Sequence, residues 1–123
     1  MQQKLQKLAL SLVDIGDGPN KHFSFIVRKR EIISIGWNSY VKTHPEAIKW
    51  GFPFRYRHSE LHAIIKFPDK IGEIRKCQLY NVRVNRLGEV GMSRPCRYCL
   101  PMVLDFGFKK IHYTNGEGEW ISV

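Results

Sequence analysis

A chain of 123 residues, 43% apolar and 25% charged, has the proportions of one water-soluble globular domain, long enough to bury a core and too short for two. Those proportions exclude a disordered chain, and no apolar run approaches the ~20 residues of a membrane-spanning helix, so no membrane partner is expected. Twenty Lys plus Arg against eleven Asp plus Glu leave a net charge of +9, which suits a phosphate-bearing partner or, more blandly, a surface kept soluble by charge.

Leu5, Leu8, Ala9, Leu12 and Val13 recur at helical spacing and predict an amphipathic helix over residues 2–14, stopped by Gly16, Gly18 and Pro19. Lys4 and Lys7 interrupt that stretch and no small-residue cleavage site follows, so no export signal is read. Residues 23–27 and 31–37, rich in β-branched and aromatic side chains around Arg28-Lys29-Arg30, predict a β-hairpin. Residues 38–57 carry Pro45, Gly51, Pro53 and several aromatics without periodicity. They predict a long loop, with room for one helical turn at 46–50, placed to wall a site. A helix over 59–67 ends before Pro68, and a strand follows over 77–84. Pro95 opens a helix running to Phe106, in which Pro101 is an awkward interior residue. Strands over 108–114 and 119–123 flank the turn Asn115-Gly116-Glu117-Gly118, giving the order α-β-β-α-β-α-β-β in one domain over 1–123.

Three cysteines, two of them in Cys96-Arg97-Tyr98-Cys99, make a metal or redox pair a better account than a disulfide framework, and a reducing cytoplasm suits it. His58-Ser59-Glu60 and Pro95-Cys96-Arg97-Tyr98-Cys99 open two predicted helices, whose N-termini can meet at one point. One imidazole and two thiolates form a three-ligand zinc set, and a catalytic zinc keeps its fourth position for water. A helix N-terminus favours the thiolate form. Glu60, two residues from His58, can sit beside a metal without joining its ligands and carry protons, first as base and then as acid. Two alternatives stand beside this reading. Cys96 and Cys99 could form half of a four-ligand structural site, although Cys77 stands alone in a strand. His62, four residues after His58, is also at metal-binding spacing.

The two motifs resemble the cytidine deaminase superfamily, whose signature is H-x-E with P-C-x-x-C. His58-Ser59-Glu60-Leu61-His62-Ala63 is similar to that family's run H-A-E-x-x-A, with Ser59 where alanine is usual. The resemblance implies that His58, Cys96 and Cys99 hold Zn2+ and that Glu60 moves the protons. It implies that Asn38, in Gly36-Trp37-Asn38, contacts sugar or base, at a longer spacing to His58 than usual. It also implies a three-layer α/β/α fold with a five-stranded mixed sheet.

The tail separates branches of that superfamily. Only four turn residues lie between Thr114 and Glu119, too few for a parallel crossover, so the last two strands are expected to pair antiparallel. That is similar to the branch holding free cytidine deaminases and nucleic-acid-directed members. Free cytidine deaminases usually use cysteine where this chain has His58, and the histidine together with +9 favours a polynucleotide. The expected substrate is cytosine flipped out of DNA, or less readily RNA, with free cytidine, its nucleotide, or adenine in RNA as alternatives. Candidate substrate contacts are Asn38, Ser93, Arg94, Trp37 and Tyr56. Candidate backbone contacts are Arg28, Lys29, Arg30, Arg55 and Arg57.

Overall fold

A computed structural model describes residues 1–42, 44–51 and 57–123. Arg55 and Tyr56, two of the candidate contacts, lie outside the described residues. The elements are α1 (Gln2–Ser11), β1 (Lys21–Arg28), β2 (Glu31–Trp37), α2 (Pro45–Lys49), α3 (Ser59–Ile65), a 3-10 turn (Ile71–Lys76), β3 (Gln78–Val84), β4 (Val90–Gly91), α4 (Cys99–Phe106), β5 (Lys110–Thr114) and β6 (Trp120–Ser122).

Strand alternation divides the apolar residues between two layers. Phe23, Phe25 and Val27 of β1, with Tyr80, Val82 and Val84 of β3, pack against Leu5 and Ala9 of α1. Ile26, Leu79 and Ile111 face the other way, onto Leu61 and Ile64 of α3 and Met102 and Val103 of α4. The sheet is therefore buried on both faces, and burial of each large apolar side chain is worth about 1.5–3 kcal/mol. Among the described residues no helix is long and apolar enough to cross a membrane.

The strands run in the order β2-β1-β3-β5-β6, with β4 paired to β3 beside this path. β1 pairs antiparallel with β2 and β3, β3 runs parallel to β5, and β5 and β6 form the antiparallel hairpin expected from the short turn. Asn115 closes that turn by accepting from the N–H groups of Glu117 and Glu119 at 2.9 Å each. Among the described residues the sheet has six strands rather than five. The additional one, β4, is two residues long and carries no alternation to read. It pairs Val90 with Val84 and Gly91 with Arg83. The awkward Pro101 is also resolved, because α4 begins at Cys99 rather than beside Pro95. Pro101 thus lies in the first turn, where an amide has no acceptor within the helix. Gly107 ends α4 in the left-handed region at φ 89°.

Helix α3 rests on β2 with no side chain between the two backbones. A Cβ on Gly36 would collide with the amide nitrogen of Ala63 and the carbonyl oxygen of Ser59. Ser34 fixes the same approach one pleat earlier, donating its hydroxyl to the Ala63 carbonyl at 2.8 Å. Gly36→Ala is therefore expected to push α3 off the sheet and to cost about 1–3 kcal/mol, the usual penalty of overpacking. Urea denaturation checks it, and an unchanged midpoint would show that the close approach carries no energetic weight.

Candidate metal centre

His58 is the N-cap of α3, with extended backbone at φ −77° and ψ 153°. Its carbonyl starts the helix by accepting from His62 N–H at 3.1 Å, which turns the imidazole toward the N-terminus of α4. There Cys96 lies three residues ahead of Cys99, the first residue of α4. Its carbonyl accepts from Leu100 N–H at 2.9 Å, and its sulfur accepts from Cys99 N–H at 3.4 Å. His58 Nδ1 lies 3.6 Å from Cys96 Sγ and 3.3 Å from Cys99 Sγ. All three donor atoms fall within 4.8 Å of one another. A tetrahedral ion with Zn–N about 2.0–2.1 Å and Zn–S about 2.3 Å spaces its ligands at roughly 3.5 Å for N to S and 3.8 Å for S to S. The donor set and its spacing fit zinc.

The protonation pattern of the three residues points the same way. A hydrogen bond from the Cys99 thiol, joined by those from His58 and nearby backbone N–H groups, outweighs burial and brings Cys96 down to about 4. Cys99, hydrogen-bonded to Cys96 and buried, is pushed far up and keeps its proton. Burial alone would lower His58, but the Cys96 hydrogen bond and the negative charge of Glu60 raise it overall. The cluster thus holds protons where a cation would replace them.

Glu60 lies one step along α3, 5% exposed. Burial pushes its carboxyl above the usual carboxylate range. Asn81 Nδ2 on β3 donates to Glu60 Oε2 at 3.0 Å and to the Ser93 carbonyl at 3.2 Å. The Ser59 hydroxyl meets Glu60 Oε1 at 3.1 Å and the Ser24 hydroxyl at 2.8 Å, and Ser24 donates to Asn81 Oδ1 at 2.6 Å. Ser59 donates to Glu60 Oε1, and the two serine hydroxyls together bridge the carboxyl to Asn81 Oδ1. Sequence reading missed Ser24 and Asn81, since a serine and an asparagine inside strands carry no motif.

A cavity of about 210 Å³ opens over this centre, walled by His58, Glu60, Cys96, His22, Asn38, Ser39, Arg57, Ser93 and Arg94. That is below the roughly 300–1,000 Å³ of drug-sized sites. Asn38 Oδ1 accepts from His22 N–H at 2.9 Å and its Nδ2 donates to the Asn20 carbonyl at 3.1 Å, so one lone pair and one hydrogen remain for a ligand. Burial brings His22 down to about 4 and keeps its ring neutral. No pattern in the sequence singled it out. The Ser93 hydroxyl is spent on the Asn81 carbonyl and the Thr114 hydroxyl, at 2.7 and 2.8 Å. Ser93 is thereby a staple between strands at the cavity wall. Ser39 and Arg57 exchange backbone hydrogen bonds at 2.8 and 3.0 Å, which closes the neck of the long loop at the cavity rim. Arg57 Nε is buried without a hydrogen-bond partner among the described residues.

Other candidates stand elsewhere. Trp37 does not line the cavity. Its ring meets His62 edge-on at 4.5 Å and lies under Lys66 Nζ at 4.3 Å, because strand alternation turns it away from Asn38. His62, the alternative ligand, accepts from Trp37 N–H through Nδ1 at 3.0 Å and is not in the metal cluster. Arg28, Lys29 and Arg30 sit at the end of β1 opposite His22, about 20 Å away along the strand.

No family model matches the chain, and no curated protein matches it in sequence. Solved structures do. The cytidine deaminase from Burkholderia pseudomallei superposes with TM-score 0.64 at 14% identity, over all of this chain and 91% of that one. The dCMP deaminase from the cyanophage S-TIM5 superposes in its apo form with TM-score 0.60 at 20% identity, over 93% of this chain and 82% of that one. In complex with dCMP and dUMP it gives 0.57 at 21% identity, covering 93% and 80%. The fold is therefore cytidine deaminase-like.

Asn81→Ala removes a donor from a buried carboxyl and is expected to cost about 1–3 kcal/mol. Combined with Glu60→Ala it should cost less than the sum of the two single changes, since no orphaned carboxyl is left. Strict additivity in a denaturation cycle would rule the interaction out. The His62 ring, brought down to about 4 by burial, takes up its proton more readily when unfolded. Stability of the metal-free protein should therefore fall as pH drops from about 6.5 toward 4. A smaller fall in His62→Asn, measured by thermal melts across that range, checks the assignment.

Proposed function

We propose that the chain is a zinc-dependent hydrolytic deaminase that converts cytosine to uracil in a nucleic acid, DNA before RNA. The observation that carries this reading is one imidazole and two sulfurs at zinc spacing, with a buried carboxyl at the same cavity. Zinc held by His58, Cys96 and Cys99 would supply a water acidified from about 15.7 toward about 7. The rest falls to the chain's own residues. Glu60 takes a proton from the attacking water, gives it to ring N3, and then carries the second proton to the departing amino group. Water and cytosine thus become uracil and ammonia with one carboxyl as carrier. The raised affinity of Glu60 for a proton suits that double duty. Asn81 and Ser59 hold its two oxygens in place, while Asn38 and the neutral His22 are placed to meet the base or sugar.

A small cavity favours a single base with its sugar, so a polynucleotide must present its target flipped out. Arg57 and Arg94 at the rim carry charge where the flanking phosphate would lie. The net charge of +9 extends the same preference to the whole surface. A free nucleotide is the second reading, favoured by the substrates named for the structural neighbours, dCMP and cytidine. For it, the same two arginines would hold one phosphate.

Single-stranded DNA, duplex DNA, RNA, dCMP and cytidine, each incubated with the zinc-loaded protein and assayed for uracil, separate the readings. The expected result is uracil in single-stranded DNA, with turnover falling steeply between about 50 and 200 mM salt. Turnover of dCMP alone, flat in salt, would move the assignment to the free nucleotide. Glu60→Gln should lower turnover about 10²- to 10⁴-fold with zinc retained, while Cys96→Ala should lose zinc and turnover together. Full activity in Glu60→Gln would defeat the mechanism.

A further inference from the structure

Six basic side chains lie together at the end of the sheet away from the candidate metal centre. Arg28, Lys29, Arg30, Arg75, Lys76 and Lys109 line a cleft of about 950 Å³. Its walls come from the β1–β2 turn, the 3-10 turn Ile71–Lys76 and the residue before β5. Two of these cations are neutralised: Arg28 pairs with Asp69 at 3.0 Å, and Lys76 with Glu73 at 2.8 Å. Lys29, Arg30, Arg75 and Lys109 are exposed and make no ion pair among the described residues. Like charges held around one cleft repel each other unless an anion lies between them.

The turn adds a second observation. Arg28 pairs with Glu31, so Lys29 and Arg30 alone make the loop, with φ at 51° and 64°. Both lie in the left-handed region, where Asn-Gly sits without strain. Two long cations occupy those positions against local preference, and both line the cleft.

We propose that this cleft binds the phosphates of a polynucleotide backbone, as a second site remote from the metal centre. The proposal rests on the nucleic-acid reading above and deepens it. Cations spread over three chain segments suit a run of phosphates better than a single one. The floor offers no open ring on which a base could stack. Tyr80 is buried, stacked on His112 at 4.2 Å, and its hydroxyl donates to Gln78 at 3.2 Å. Recognition here is therefore of backbone and not of sequence. About 20 Å of strand separates the two sites, so at roughly 3.4 Å per stacked nucleotide about six nucleotides or more are needed to touch both.

The test measures binding of the zinc-loaded full chain to labelled single-stranded DNA of about 4 and about 24 nucleotides, across about 50–200 mM salt. Lys29→Asn with Arg30→Gly is the informative variant. Asn-Gly fits the turn, so its melting temperature should rise and unfolding cannot account for weaker binding. Lys109→Gln is the second variant, outside the turn. Expected is an about tenfold weaker complex with the long strand at intermediate salt, a salt slope shallower by about 0.7 for each phosphate no longer neutralised, and little change with the short strand. Variants that bind the long strand like the wild type, or weaken equally toward both lengths, overturn the proposal while leaving the nucleic-acid reading intact. A wild type that binds no strand at either length defeats that reading itself. ATP bound more tightly than the long strand, and released by both variants, would assign the cleft to free nucleotide polyphosphates instead and overturn the proposal.

Discussion

The contact on which the rest of the molecule depends is the one made without a side chain, where α3 lies against β2 at Gly36. Because nothing projects there, the Ser59 carbonyl and the Ala63 amide reach the strand backbone, and the first turn of α3 sinks into the sheet. His58 and Glu60 are then delivered at the depth of Asn81 on β3, two strands away. Any thicker interface would lift that turn and with it both the imidazole and the carboxyl. A cluster of donor atoms assembled near two helix ends has no continuous chain to hold its geometry. It relies instead on how deeply each helix seats, and packed interiors transmit small displacements.

The second helix end is set by a different device. The chain leaves β3, turns at Asn85 and returns through β4, which places Ser93 between Asn81 and Thr114. Ser93 N–H donates to the Thr114 carbonyl at 2.8 Å, and Thr114 N–H donates back to the Ser93 hydroxyl at 2.7 Å. From that fixed point only Arg94 and Pro95 intervene before Cys96. Two residues of strand therefore do what a longer element would otherwise do, fixing where the sulfurs begin. The same Asn81 touches Ser93 through both its carbonyl and its amide and touches Glu60 through the amide. The segment that leads to Cys96 and the carboxyl of Glu60 are thus tied to one residue.

What the sequence made legible follows from how tightly chemistry binds residue type to spacing. A metal-binding donor set needs particular residue types at short offsets, so the convergence of His58, Cys96 and Cys99 could be read from short motifs. The β5–β6 hairpin was equally readable, because four turn residues forbid a parallel crossover. Ser24 and Asn81 were not, since a polar residue in a strand looks the same whether it faces water or a buried carboxyl. β4 escaped because two residues cannot show a period. The cluster Arg28-Lys29-Arg30 was visible as charge, but its place was not. Only the antiparallel course of β1 puts His22 at one end and those cations at the other.

Ser59 draws together the packing of α3 and the chemistry of Glu60. Its carbonyl oxygen lies where a Cβ on Gly36 would fall, so the close seating of α3 fixes where its side chain begins. The Ser59 hydroxyl is 2.8 Å from Ser24 and 3.1 Å from Glu60. With alanine at 59, Ser24 would still donate to Asn81 Oδ1, but Glu60 Oε1 would lose the Ser59 donor at 3.1 Å. A donor to a carboxylate favours its ionised form, so Ser59 works against the burial that raises the proton affinity of Glu60. A single hydroxyl thereby ties the first turn of α3 both to β1 and to the carboxyl.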